Sequence, residues 1–312
     1  VDEMLDPVDD LLDVLDLRHE GSTRLRVTSL EGVVEDLRDS EGEVFVGRSQ
    51  PMPTGRVFGG QVLAQCVVAA GRTVAGIDDG DGPRYIHSLH GYFLRPGDAD
   101  RPIRFLVDRM RDGRSFSARR VHAVQDGRIL LSMITSFQEV AGGLEHHVPM
   151  PQVPSPDELH PDARTLAEID HPAAQHAARR AVDMRHVQPQ IYAEPDPEPR
   201  ESQSVWLRVP RRLPDDPLLH AAVLAYASDY SLLEPILRRH GLTWGDPRLR
   251  MASLDHAMWF HRPFGRTDEW VLYTQESPSA QGGRGLGIGR MFAADGTLLA
   301  TVGQEGMVRV KE

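Results

Sequence analysis

The sequence predicts an α+β protein in which one pattern is used twice, and three observations carry that reading. A strongly apolar helical stretch is followed by several strand patterns separated by Gly or Pro turns. After a proline-crowded run the same order returns, and short matching segments tie the two passes together.

The first pass opens with a short amphipathic helix marked by Val8, Leu11, Leu12, Val14 and Leu15. Strand-like runs follow at 25–37 (LRVTSLEGVVEDL) and 43–49 (EVFVGRS). PMPTGRVFGG is turn chemistry, and its glycines lead into an apolar helix near 60–75. Four further runs, IHSLHGYFL, IRFLVDRM, SFSARRVHAV and ILLSMITSFQEV, are β-rich, with turns RPGD, RDGR and QDGR between them. From 141 to 202 prolines crowd the chain, which reads as a long connector with one helix at 171–184.

The second pass starts with the strand VWLRVP and a helix expected at 217–239. Asp216 suits its N-cap, Pro217 its first turn and Gly241 its stop. Between Leu218 and Ala227 nearly every side chain is apolar, His220 being the polar exception, so this helix is expected to be buried on most sides. Asp229 falls in its middle. A carboxylate there must be hydrogen-bonded, protonated or functional, because burying a bare charge is costly. Strands then follow over MASLDHAMWFHRP, EWVLYTQES, RGLGIGRMFAADG and TLLATVGQEGMVRV.

Tyr92-Phe93-Leu94-Arg95-Pro96 answers Trp259-Phe260-His261-Arg262-Pro263, and the turn Asp126-Gly127 answers Asp295-Gly296. Sliding the two helices over each other sets Gly71 in the place of Asp229. The expected organisation is an N-terminal unit at 1–140 with its short leading helix, a connector at 141–202 and a C-terminal unit at 203–312 that carries the carboxylate.

Bulk composition excludes some classes. A formal net charge of −11 argues against nucleic acid or an anionic membrane surface as the main partner. No apolar run approaches the ~20 residues of a membrane span, so no membrane insertion is expected. The start, VDEMLDPVDD, lacks the basic-then-apolar pattern of a secretory signal, and a soluble, cytoplasmic chain is the expectation. The single cysteine, Cys66, rules out an intrachain disulfide framework and reads as a small buried hydrophobe. His171, His176 and His186 could make a weak metal site, but without cysteines or a carboxylate cluster nearby they read as solvated linker histidines, and no metal is expected.

The stretches RVFGGQVLAQ, HSLHGYFLRPGD, RDGRSFSARRV, AYASDYSLLEP, SLDHAMWFHRPF and TVGQEGMVR occur in the order found in one family. On them the chain resembles the acyl-CoA thioesterase II (TesB-like) enzymes. The resemblance implies a double hotdog, two fused units each with a long helix wrapped by an antiparallel sheet. It also implies hydrolysis of fatty acyl-CoA to fatty acid and coenzyme A, with no cofactor and no metal. The family's water-holding Asp, Thr and Gln fall on Asp229, Ser253 and Gln304. Ser253 departs from the Thr, keeping the hydroxyl but losing the branch that stiffens it. The fused units would be an internal pseudo-dimer, with homo-oligomer formation through sheet edges left open.

A thioester carbonyl is already electrophilic, so hydrolysis needs a placed water, a base and oxyanion donors. Asp229 would supply the base, with Ser253 and Gln304 fixing the water. Strand alternation puts Val302, Gln304 and Val308 on one face and Glu305 on the other. Spacing alone favours an Asp–Ser–Gln network that merely satisfies itself; the resemblance turns the reading to catalysis. Backbone N–H groups around Gly59, Gly60 and Gln61 are candidate oxyanion donors at a helix N-terminus, or the glycines serve only a tight turn. Asp255 and His256 are neighbours on a strand and face opposite sides. His256 therefore reads as a packing or structural hydrogen-bonding residue, and Asp255, sharing a face with Ser253, as a secondary site candidate. Arg114 and Arg284, with Arg111, Arg119 and Arg120, could hold coenzyme A phosphates, though solvated strand faces suit most of them.

Two rival functions are set aside. An enoyl-thioester hydratase on this scaffold would need a His five residues after its Asp, where this chain has Glu234. A non-catalytic acyl-CoA binding protein would have no need of all three polar groups.

Overall fold

The computed structural model describes residues 5–25, 40–75, 77, 82–263 and 265–311. In chain order the elements are α1 (Pro7–Leu15), β1 (Arg18–Leu25), β2 (Ser40–Gly47), α2 (Gly59–Arg72), β3 (Arg84–Phe93), β4 (Ile103–Asp112), β5 (Phe116–Gln125) and β6 (Arg128–Glu139). There follow α3 (Asp162–Ala167), α4 (Pro172–Ala177), β7 (Asp183–His186), β8 (Ser202–Arg208), α5 (Pro217–Ser228), α6 (Glu234–Arg239), β9 (Leu249–Ser253), β10 (Asp255–Phe260), β11 (Val271–Gln281), β12 (Arg284–Ala293) and β13 (Leu298–Val310). The strand expected at 25–37 lies outside the described residues except for Leu25, which closes β1.

The strands join in one sheet in the order β1-β2-β4-β5-β6-β3-β10-β13-β12-β11-β8-β7, with β9 paired to β13, and every pairing is antiparallel. On one side of the β3–β10 seam the order outward is β3, β6, β5, β4, β2. On the other side it is β10, β13, β12, β11, β8, so the second run repeats the first.

Helices α2 and α5 lie against each other inside this curved sheet. Most side chains of both are apolar, and both helices are buried: Leu63, Cys66, Val67, Ala222 and Ala225 are closed to solvent. The two run antiparallel. A Cβ on Gly60 would stand 2.4 Å from the Tyr226 carbonyl, and one on Gly71 would meet Leu218 at 2.3 Å, so these glycines set how closely the helices approach. Burial pushes the Cys66 thiol well above its usual pKa, as a buried small hydrophobe requires.

The helix expected to run unbroken over 217–239 is two helices. Asp216 caps α5 by accepting from the Leu218 N–H at 2.9 Å. The helix then stops at Asp229, and α6 begins at Glu234 with Pro235 in its first turn. Pro235 has no N–H to continue the helical ladder, so the chain restarts there instead of passing through.

The proline-crowded run is also more than a tether. β7 extends the sheet beside β8, and His186 at its end is buried between Asp162 of α3 and Glu234 of α6, at 2.6 Å and 2.8 Å. His186 is thus an internal ion-pair centre, not a solvated linker histidine. His171 stays near the surface and caps α4 through Nδ1. No helix among the described residues is long and apolar enough to cross a membrane.

Candidate active site

Asp229 occupies the C-cap of α5, where a negative charge meets the carbonyl end of its own helix. The antiparallel neighbour compensates. The N-terminus of α2, whose N-cap Phe58 offers no side-chain acceptor, ends against the same carboxylate, and the Gly60 N–H favours its charged form. Gly59 is equally close, since a Cβ there would lie 2.8 Å from Asp229 Oδ2. Only a residue without a side chain leaves room for the carboxylate at that helix end.

Gln304 of β13 closes the arrangement. Its amide nitrogen donates to Asp229 Oδ1 at 2.8 Å and to Ser253 Oγ at 2.6 Å. The three residues expected to act together are therefore in one hydrogen-bonded cluster. Asp229 is half-buried and Gln304 fully buried. Burial pushes the Asp229 carboxyl up to about 6, against the opposing pull of hydrogen bonds from Gln304, Gly60 and Ser253.

His256 belongs to the same cluster. Its Nδ1 lies 2.9 Å from Gln304 Oε1 and its Nε2 2.9 Å from Ser228 Oγ. Strand alternation should have put it on the far side from Ser253, and a bulge is the reason it is not. Ser253 pairs with Gly306 and Ala257 with Gly303, so four residue steps on one side answer three on the other. The extra residue turns His256 toward Gln304 and carries Asp255 away. Asp255 accepts the Glu305 N–H at 2.7 Å and does not line the cavity described next, which removes it from the site.

The cluster lies in the wall of a cavity of about 1430 Å³. Phe58, Tyr226 and Tyr230 form one apolar side, stacked and edge-on with ring centroids 4.8 to 5.5 Å apart. The connector contributes His176, Arg179, Arg180 and Tyr192 to the lining, and Arg180 lies over the Tyr230 ring at 4.5 Å. Arg56 also lines the cavity, as does Arg48, whose charge is balanced by Asp10 and Asp13. Arg114 and Arg284 are elsewhere: neither lines the cavity, and Arg284 pairs with Glu305 at 3.0 Å. Arg119 is buried on Asp112 and Thr73. Of the expected oxyanion residues, Gly59 lines the cavity and Gly60 touches Asp229. The Gln61 side chain turns away, bonding the Gln50 N–H and Gln65.

Sequence reasoning missed the cavity arginines of the connector because the run was read as a tether. The RR pair Arg179-Arg180, following an alanine-rich helical stretch, was the available signal.

Comparison with known proteins shows the family. Residues 185–307 match the acyl-CoA thioesterase family model, and 48–138 match the model of the acyl-CoA thioesterase N-terminal domain. The chain is 38% identical to human acyl-coenzyme A thioesterase 8, over 91% of this chain and 88% of that protein. It is 37% identical to acyl-CoA thioesterase 2 of Haemophilus influenzae, over 86% and 93%. Among solved structures, the acyl-CoA thioesterase II TesB2 of Mycobacterium marinum is similar at 40% identity and a TM-score of 0.71, covering 97% of this chain and 99% of that one. A hot dog fold protein from Alicyclobacillus acidocaldarius, at 16% identity and a TM-score of 0.69, shares the fold. On these grounds the chain belongs to the acyl-CoA thioesterase II family.

Proposed function

We propose that the chain hydrolyses fatty acyl-CoA to a fatty acid and coenzyme A, on a double hotdog whose units fall at 1–140 and 203–312 around the connector at 141–202. The repeat of strand order across the β3–β10 seam supports the two-unit reading. One observation carries the chemistry: a carboxylate whose pKa is pushed up to about 6, a hydroxyl and an amide converge beside a helix N-terminus in the wall of a large cavity.

Gln304 donates both amide hydrogens, to Asp229 and to Ser253, so it holds those two groups in place and leaves the water to them. The water is seated on the remaining lone pairs of the Asp229 carboxylate and on Ser253. Its oxygen attacks the thioester carbon while Asp229 takes its proton. Negative charge develops on the former carbonyl oxygen, where the first N–H groups of α2 around Gly59 stabilise it. The C–S bond then breaks, and the proton held by Asp229 passes to the leaving sulfur. A base with a pKa near the working pH suits both halves of that transfer. The connector arginines Arg179 and Arg180, with Arg56, suit the phosphates of coenzyme A.

A hydratase would need an imidazole on the water. Both oxygens of Glu234, five residues after Asp229, are engaged by His186, Gln203 and Trp244, and His256 is held by Gln304 and Ser228. The test is coenzyme A release from acyl-CoA of graded chain length, wild type against Asp229→Asn. Release by wild type that the folded variant loses supports the proposal. Equal release by both would sink it.

A further inference from the structure

We propose that Trp244 is a specificity-determining residue, whose fixed indole bounds the part of the cavity wall along which the acyl chain lies. The inference rests on the proposed hydrolysis of acyl-CoA, and adds to it where the chain runs and what limits its length.

The two ends of an acyl-CoA ask for different walls, since the coenzyme is polyanionic and the acyl chain apolar. The cavity is divided in that way along the sequence. Its arginines, Arg56, Arg179 and Arg180 among them, come from the N-terminal half and the connector. The described residues of 203–312 place no basic side chain on it. Away from the Asp229–Ser253–Gln304 cluster this C-terminal wall continues apolar. Met251 lies two residues before Ser253 on β9, so the two share a face about 7 Å apart. Leu233 also lines the cavity, and a Cβ on Gly306, the partner of Ser253 across the ladder, would stand 2.4 Å from it. Trp244 follows. It and Met251 both pack on Ile191, Leu237 and Leu242, and both line the cavity.

Trp244 is held at both its backbone and its ring. Its indole N–H donates to Glu234 Oε1 at 2.8 Å, and its backbone N–H donates to the Ile191 carbonyl at 3.1 Å. Glu234 is held in turn through Oε2, by His186 at 2.8 Å and Gln203 at 3.0 Å. An indole whose N–H is engaged offers a substrate apolar surface and no donor. Tied in this way, it resists swinging aside to admit a longer chain. Glu234 is the one charged side chain on this wall apart from Asp229, and His186 balances it, so the wall stays suited to hydrocarbon.

The experiment compares kcat/KM on saturated acyl-CoA from butyryl to palmitoyl, for the full chain and two variants. Trp244→Ala opens the wall. The ratio of kcat/KM for palmitoyl-CoA over butyryl-CoA should rise at least ~10-fold, the low end for one methylene in an apolar pocket. Met251→Phe crowds the same wall without touching the tie to Glu234, so the ratio should fall by a similar factor. It carries the test if Trp244→Ala does not fold. Inhibition by free coenzyme A, which has no acyl chain, should keep its wild-type strength in both. An unmoved ratio in the folded variants, a ratio moved the other way, or weaker inhibition by coenzyme A would each overturn the proposal. A wild type inactive on every chain length would sink the hydrolysis itself, and this proposal with it.

Discussion

His256 Nδ1 lies 2.9 Å from Gln304 Oε1, and this contact fixes which way the Gln304 amide faces. Gln304 must turn its nitrogen to the Asp229 carboxylate, so its oxygen must accept, and the histidine is the donor. Burial holds the His256 pKa down to about 4, with the Gln304 contact opposing, so at neutral pH the ring is uncharged with its proton available on Nδ1. His256→Leu removes the donor and frees the amide to flip. Turnover should fall ~10-fold or more, the scale seen when an orienting partner is removed at metal sites. KM should move little, and His256→Gln, which can still donate, should recover part of the loss. Unchanged kcat in a folded His256→Leu protein would show that Gln304 needs no such partner.

Asp229→Asn should lower turnover at least ~100-fold, the low end for a general base, while folding survives. The fold should gain, not lose. A carboxyl raised to about 6 from its ordinary 3.8 costs stability increasingly as pH climbs through that interval, because the folded state holds the proton more tightly than the unfolded one. The variant should therefore have the higher melting temperature above about pH 7, and the gap should close below about pH 4. A lower melting temperature at neutral pH would mean that the charge is better stabilised than its burial implies.

The same shift predicts the acid limb of activity. A base must be unprotonated, so kcat should fall as pH drops through about 6. Gln304 and Ser253 both pull the Asp229 pKa down by hydrogen bonding. Gln304→Ala removes one of those bonds, so the limb should move to higher pH as well as the plateau dropping. A limb that stays in place would detach Gln304 from the carboxylate.

The legible part of this protein was the alternation and the caps. Gln304 facing inward beside Val302 and Asp216 capping α5 follow from local rules, and the correspondence of Tyr92 with Trp259 holds in the sheet, where each stands two residues past the paired His90 and Ala257. Three features escaped those rules. The apolar run continues past Asp229, so the break showed only in Pro235, which also suits the first turn of a new helix. The bulge before His256 has no local signature, because it is set by how two strands register on β13. His186 looked like a linker histidine since its partner Glu234 lies 48 residues away in sequence.

That ion-pair centre should hold the connector on the body. Burial works against both charges. Even so, Asp162 and Glu234 raise His186 to about 10, and His186 and Arg238 help lower Glu234 to about 2. The His186 contribution is complete below the ordinary imidazole value of 6.5 and is lost as pH rises through about 10. The Glu234 contribution is complete above 4.5 and is lost as pH falls through about 2. Stability from this centre should therefore be fullest between pH 4.5 and 6.5. His186→Leu leaves two buried carboxylates without their shared cation, and urea unfolding should show a loss of ~3–5 kcal/mol. A change below ~1 kcal/mol would mean that the centre relaxes or hydrates freely.

The last prediction is one active site per chain, although the strand order repeats. At the counterpart of Asp229 stands Gly71, whose missing side chain is needed because Leu218 fills the adjoining space. Thr135 stands in the place of Gln304 and donates to the Ser88 carbonyl at 3.0 Å, so it is committed to the sheet. Gln138, the nearest amide on β6, alternates outward beside the inward Phe137 and cannot replace it. Nor could a base be installed simply. In Gly71→Asp the first added carbon would already collide with Leu218, so the variant should lose stability without creating a second site. Titrating activity with a tight S-decyl coenzyme A thioether should reach full inhibition at one equivalent per chain. Full inhibition only at two equivalents, or substantial hydrolysis by folded Asp229→Asn, would show that the glycine half does chemistry after all.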